Sequence, residues 1–367
     1  MSKKKALIVG SFPDKEEYFL GGIHKTCHLL KNSKFFKRFN VATVDSTNVN
    51  SLNRVFASKI YFGILKLTEF VIKCVTFKPD VVIIFSSNNW GLLEKSIMGL
   101  AGKKLGASII FCPRASEQLV KNNSIKRIVK FTLRSVDYFV CQGEKVSDAL
   151  ELDYCIEKRK IRIIRNWTAT SDLLKLGSEK ENNLLYDEPV ELAFVGWLEK
   201  EKGVSELLEA VSELKKQNLN FKLWVVGDGS MKKELEGFCN ENSLNNTVNF
   251  TSWLPEKKLN DIYKKCHIFV LPSWSEGMPN AMIEAMASAC VPVVTRVGNI
   301  SDFINGENGI IFDPKDQKSL NKILYELICK KEKLPTISQN SYQTAKENFS
   351  TEANIEKFTK IVEQSIQ

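Results

Sequence analysis

The chain has 367 residues, 43% hydrophobic and 26% charged, with a net charge of +9; this is ordinary for a globular protein and long enough for two cored domains. That balance excludes a disordered or low-complexity chain, and the most apolar region, 60–77, is broken by Lys66, Glu69 and Lys73, so no membrane span is expected. The apolar run after the basic start covers only 6–9, too short for a signal-peptide core, and the nine cysteines show no CxxC spacing; reduced core thiols in a cytoplasmic protein are expected, with no metal and no disulfide.

In the first half, short apolar, β-branched runs at 5–10, 39–44, 80–85, 108–112, 138–141 and 161–164 read as buried strands. Helical patterns at 22–31, 58–74, 92–104 and 124–134 separate them. In the last of these, Lys126, Lys130 and Arg134 stand at spacing four, with Ile125, Ile128, Val129 and Leu133 on the other side. A basic amphipathic helix of this kind suits an anionic lipid surface or a plain solvated face. The stretch 168–189 is polar and weakly periodic and reads as a linker. The plan then repeats, with strands at 192–195, 222–226, 248–251, 268–271, 292–295 and 309–312. Helices fall at 204–217, 231–241, 256–265 and 281–288, and a last amphipathic helix at 351–366.

Strand–helix alternation of this kind predicts an α/β protein with two doubly wound parallel sheets and a ligand cleft at the carboxyl ends of the strands. The expected divisions are 1–168 for the first domain, 169–189 for the linker and 190–345 for the second domain. A C-terminal helix over 346–367 is expected to pack back on the first domain. Charge follows the same division: residues 1–170 hold 29 Lys and Arg against 14 Asp and Glu, while the rest hold 23 against 29. A basic first half and an acidic second half point to an anionic partner for the first half, a membrane surface before a nucleic acid, for which no readout module is recognised.

The densest chemical signal is VLPSWSEGMPNAMIEAMASACVPVVTRVGN, residues 270–299. A strand ends at Leu271, and a short loop leads into a helix that starts near Asn280. Loop amides and a helix N-terminus form an anion site suited to a diphosphate, and Gly277 permits close backbone approach. Glu276 in the loop and Glu284 in the helix carry charges that would repel phosphate. Their place makes sense if each accepts hydrogen bonds from hydroxyls, a sugar's on one side and a ribose's on the other.

On these residues (Pro272, Ser273, Glu276, Gly277, Glu284, Ala285, Met286 and Ala287) the chain resembles the retaining glycosyltransferases of family 4, which have the GT-B fold of two Rossmann-like domains facing across a cleft. The resemblance spans nearly the whole chain. It implies that Glu276 contacts the donor sugar and supports the transition state, and that Glu284 binds the ribose hydroxyls. The amides of Gly277, Met278 and Asn280 would then face the diphosphate. In FVGWLEKEKG, 194–203, the strand ends at Gly196, and Lys202 matches the family's phosphate-binding lysine, whereas Trp197 stands where the family often has arginine. The pair Gly227 and Gly229 is weak as a dinucleotide fingerprint, with Lys232 in place of a third glycine. The family's base contact falls at Trp253 and Leu254. In the first half, Gly22 matches a glycine pair near the donor phosphates. Arg114 stands near the position of the family's cleft histidine, and acceptor specificity falls to the loops 88–90 and 114–118.

The implied activity is retaining transfer of a hexosyl group from a nucleotide-sugar, a UDP-sugar favoured, to a glycan or lipid-linked acceptor. The setting would be bacterial surface polysaccharide assembly: O-antigen, capsule or exopolysaccharide. No Asp-x-Asp pair is present, so neither a metal nor another cofactor is expected. Localisation would be cytoplasmic, with peripheral contact at the membrane's inner face. A sugar-nucleotide epimerase, a phosphorylase or a non-catalytic nucleotide-sugar-binding relative are the alternatives on the same scaffold.

Overall fold

The computed structural model describes residues 3–13, 21–47, 56–114, 119–120, 122–181 and 189–366. The chain forms two compact units, Met1–Trp167 with Thr351–Gln367, and Thr168–Ser350. In chain order, unit 1 runs β1 (Lys5–Gly10), α1 (Gly22–Lys31), α2 (Lys34–Arg38), β2 (Asn40–Asp45), α3 (Phe56–Phe77), β3 (Val81–Ser86), α4 (Trp90–Lys104), β4 (Ser108–Pro113), α5 (Asn123–Thr132), β5 (Tyr138–Cys141), α6 (Glu144–Tyr154) and β6 (Ile161–Ile163). Unit 2 follows with α7 (Ser171–Glu181), β7 (Val190–Val195), α8 (Val204–Lys216), β8 (Phe221–Val226), α9 (Lys232–Glu241), β9 (Val248–Thr251), α10 (Glu256–Lys265), β10 (Ile268–Leu271), α11 (Asn280–Ala287), β11 (Val291–Thr295), β12 (Ile310–Phe312), α12 (Gln317–Cys329) and α13 (Leu334–Phe349). The last helix, α14 (Thr351–Ser365), belongs to unit 1.

Each unit is a six-stranded, all-parallel sheet with helices on both faces, as the uninterrupted apolar strands predicted. In unit 1, ordered β2-β1-β3-β4-β5-β6, alternate residues of one strand feed opposite cores. Leu7 and Val9 join α3, α4 and α5 through Phe70, Met98 and Val129, while Ala6 and Ile8 join α1, α2 and α14 through Cys27, Phe35 and Phe358. Phe358 is fully buried, with ring centroids 5.8 Å from Phe35 and 5.5 Å from Trp167. Phe358→Ala therefore empties a closed aromatic cluster, and the unfolding transition of unit 1 in urea should lose about 3–5 kcal/mol; a loss below 1 kcal/mol would show that α14 docks without this ring.

Two expectations change. The segment expected as a linker carries helix α7, whose Leu173 and Lys180 are buried in unit 2. Lys180 Nζ donates to the carbonyls of Tyr263 at 3.2 Å and Ser288 at 3.3 Å, and to that of Cys266. These carbonyls lie at the carboxyl ends of α10 and α11, where a cation is favoured. The segment's polar look comes from the exposed side of α7, with Ser171, Asp172, Lys175 and Glu179, together with the buried Lys180; residues 182–188 lie outside the described residues. In α5, the covered side is set by Val129, Thr132 and Leu133, with Ile125 packed against it. Ile128, expected on that side, is 50% exposed. Lys126 instead pairs with Asp153 at 3.1 Å, and Lys130 Nζ donates to Cys155 Sγ at 3.0 Å. Seven of the nine cysteines are buried, and Cys155 and Cys329 are exposed.

Candidate active site

The sheet of unit 2 is ordered β12-β11-β10-β7-β8-β9. Strand order reverses at the β7/β10 pair, so the loops after these strands turn to opposite faces and leave a crevice at the carboxyl ends. The loop after β7 closes at Gly203, the N-cap of α8, with φ +68°. A Cβ there would lie 2.1 Å from the Pro272 carbonyl oxygen, so positive φ and close approach both require glycine. This contact locks the first loop against the start of the second.

The second loop, 272–279, is held from three sides. Trp274 N donates to the Glu201 carbonyl at 2.7 Å, and its indole Nε1 donates to the Glu206 carboxylate at 2.8 Å. Thr295 Oγ1 donates to the Ser273 carbonyl at 2.5 Å, and Asn299 N donates to the Gly277 carbonyl at 3.0 Å. Gly298, at φ +55°, has no room for a Cβ, which would stand 2.3 Å from the Glu276 carbonyl oxygen. The outcome is a fixed ion pair: Lys202 Nζ lies 2.6 Å from Glu276 Oε1, with side chains 25% and 12% exposed. Two buried polar atoms, Ser273 Oγ in the loop and Asn299 Oδ1 beside it, have no hydrogen-bond partner among the described residues.

Helix α11 begins at Asn280 after Pro279, with no side-chain cap and no acidic residue in its first turn. The N-terminal amides of a helix carry partial positive charge. Gly277 is half-buried, and Met278 sends its side chain into the core. Glu284, one turn further on, is only 5% exposed and accepts a hydrogen bond from the Tyr263 hydroxyl at 3.3 Å. Burial, then the Glu284 charge, pushes the Tyr263 phenol well above its ordinary pKa, so it remains a donor.

On the other side of β7, the Gly196 amide donates to the Val226 carbonyl at 3.0 Å. The rings of Trp197 and Trp253 meet edge to face, 5.1 Å apart at 75°. Trp197 is 40% exposed, and Leu254 packs against the core. Lys232, at the missing third glycine, donates to Ser252 Oγ at 2.9 Å.

Gly22 and Arg114 belong to the other compact unit. Gly22 is the exposed first residue of α1, behind Gly21 at φ +97°. Arg114 follows β4 with its guanidinium 4.8 Å from the Trp167 ring centroid and 5.4 Å from that of Phe85. Its Nη1 donates to Asn166 Oδ1 at 3.1 Å, while Nε and Nη2 are buried without a partner among the described residues. Burial lowers the pKa of this guanidinium and raises the neighbouring thiols, Cys27 and Cys112 each to about 12. Residues 115–118 of the expected acceptor loop lie outside the described residues. His267 is structural: its Nδ1 accepts from Glu191 N at 3.0 Å, and burial, then Lys180 and Lys331, lower its pKa to about 4. Tyr263, Trp274 and Gly298 were not anticipated, since helical spacing makes Tyr263 look like ordinary core.

The family model described as "Glycosyl transferases group 1" matches residues 177–344, which contain all of this second-unit site. The chain is 26% identical to an uncharacterised glycosyltransferase of Methanocaldococcus jannaschii, over 94% of this chain and 95% of that one. It is also 26% identical to the lipopolysaccharide core biosynthesis glycosyltransferase LpsE of Rhizobium meliloti, over 66% of this chain and 71% of that one. Among solved structures, Anabaena HepE in complex with UDP superposes with a TM-score of 0.74 at 14% identity, over 98% of this chain and 100% of that one. The likeness in structure is one of fold: two Rossmann-like domains.

Proposed function

We propose that the chain, which has the fold of two Rossmann-like domains, is a retaining glycosyltransferase, a hexosyltransferase using a nucleotide-sugar, with UDP-sugars favoured. The acceptor in this reading is a glycan or lipid-linked saccharide of a cell-surface polysaccharide, met at the cytoplasmic face of a membrane. The lipopolysaccharide relative and the UDP-bound neighbour support the product class and the nucleotide. The single observation that carries the reading is the Lys202–Glu276 pair beside the uncapped start of α11.

In this mechanism the donor diphosphate sits on the α11 N-terminus and takes Lys202 as its counter-charge. Glu276 accepts hydrogen bonds from the sugar hydroxyls, and Ser273 Oγ and Asn299 Oδ1 offer further polar partners. Glu284 holds the ribose, and the base lies along Trp253 and Leu254, with Trp197 as an aromatic wall. The acceptor oxygen attacks the anomeric carbon on the face from which phosphate leaves. As the new C–O bond forms, the bond to the phosphate oxygen breaks, and that oxygen takes the acceptor's proton. Configuration is retained, and no base, metal or other cofactor enters a step. In unit 1, Gly22 lies near the donor phosphates, and Arg114 serves the acceptor side as a partner for acceptor hydroxyls or phosphate.

Thermal unfolding with UDP, GDP and ADP tests the site. A nucleotide at 100 times its dissociation constant should stabilise the protein by about 2.7 kcal/mol. A shift with UDP alone is the expected result; no shift with any of the three would sink the donor site.

A further inference from the structure

Helix α3 is apolar on two sides. One side, Leu67, Phe70, Val71 and Cys74, packs onto the sheet. The other carries Tyr61, Ile64, Leu65, Ile72 and Val75, which are 60, 58, 46, 56 and 53% exposed. Positions 61, 65, 68, 72 and 75 alternate in steps of four and three, so they form one stripe along the helix. Several polar groups on and beside it bond within the helix itself. The Thr68 hydroxyl donates to the Ile64 carbonyl at 3.0 Å, the Thr76 hydroxyl to that of Ile72 at 2.8 Å, and Glu69 pairs with Lys73 at 2.6 Å.

Helix α5 lies in the same layer, since α3, α4 and α5 all pack on one core on one face of the sheet. Its outward face repeats the feature with charge added: Ile128 and Phe131 are 50% and 64% exposed, between exposed Arg127 and Arg134. Single bare apolar side chains are normal on a protein surface. Seven on the exposed sides of two helices in one layer are more than scattered single side chains. Charge decides which partner suits them: unit 1 holds 31 Lys and Arg against 17 Asp and Glu, a net +14. A second copy would bring two such charges together, whereas an anionic bilayer complements them.

We propose that the outward faces of α3 and α5 dock on an anionic phospholipid surface. The apolar side chains enter the headgroup boundary, and Arg127 and Arg134 meet lipid phosphates. The helices lie in the interface; among the described residues none is long and apolar enough to cross a membrane. The proposal rests on the reading of a membrane-borne acceptor for its purpose, and on the two helix faces for its geometry.

Co-sedimentation of the full chain with phosphatidylcholine vesicles, with and without phosphatidylglycerol, tests it. The wild type should bind the anionic vesicles and bind neutral ones roughly tenfold more weakly. Ile64→Ser/Ile72→Ser/Phe131→Ser should lose roughly tenfold on anionic vesicles, and Arg127→Glu/Arg134→Glu should abolish the preference for them. Every substituted side chain is exposed, and an unchanged thermal shift with UDP serves as the check on folding. Wild-type protein that ignores anionic vesicles, or variants that bind as the wild type does, would overturn the proposal. So would a wild-type dimer, seen by light scattering, that the apolar variant dissolves. Vesicle binding without any nucleotide shift would leave the docking face standing and remove the donor reading; the converse removes only the docking face.

Discussion

Glu276→Ala should lower kcat by roughly 10²–10³-fold while leaving the UDP-induced thermal shift close to that of the wild type. The carboxylate is 12% exposed and fixed 2.6 Å from Lys202 in a loop locked by Gly203 and Gly298. It is thus held in place before a substrate arrives and costs no reorganisation at the moment of reaction, the condition under which one polar group is worth about 2.7–4 kcal/mol. The substitution removes a partner of the sugar and frees Lys202, but it leaves the α11 amides, Lys202 itself and the nucleoside contacts in place. Binding and turnover should therefore separate. Single-turnover rates with saturating donor give the comparison. A variant that transfers at the wild-type rate would remove Glu276 from the site. One that loses the nucleotide shift as well would make the residue part of the loop's scaffold.

Glu284→Ala should do the reverse. Two ribose hydroxyls donating to one carboxylate are charge-assisted bonds, and losing such a bond costs about 1.5–3 kcal/mol. The dissociation constant for UDP should rise roughly 10- to 150-fold, with the thermal shift falling accordingly. Because Glu284 is 5% exposed and already bonded to Tyr263, the truncation also strips the buried phenol of its acceptor. Tyr263→Phe separates the two effects: it removes the supporting bond and keeps the carboxylate, so UDP affinity should fall by much less than in Glu284→Ala. Equal losses in the two variants would mean that Glu284 acts by holding α10 against α11 rather than by touching the ribose.

Much of the fold was legible because both sheets are parallel. Strands buried on both faces read as short continuous apolar runs, and β5, β9 and β10 fall where those runs lie. The start of α11 was legible for a local reason, a loop ending in Gly-Met-Pro-Asn ahead of a helical run, and the resemblance fixed on the same residues. What spacing along the chain leaves open is which distant loops meet. Lys202 and Glu276 are 74 residues apart, and they pair because β7 and β10 are neighbours at the point where strand order reverses. Trp197 and Trp253 meet because their loops leave β7 and β9 on either side of β8.

The linker was misread because the exposed side of α7 carries Ser171, Asp172, Lys175 and Glu179 and because Lys180, polar in a sequence, is buried on carbonyls that the ends of α10 and α11 supply. The same limit governs α3 and α5. Periodicity marks which side chains of a helix are apolar. When more than one side is apolar, only the packing of the sheet decides which side is covered and which, in unit 1, is left for another surface.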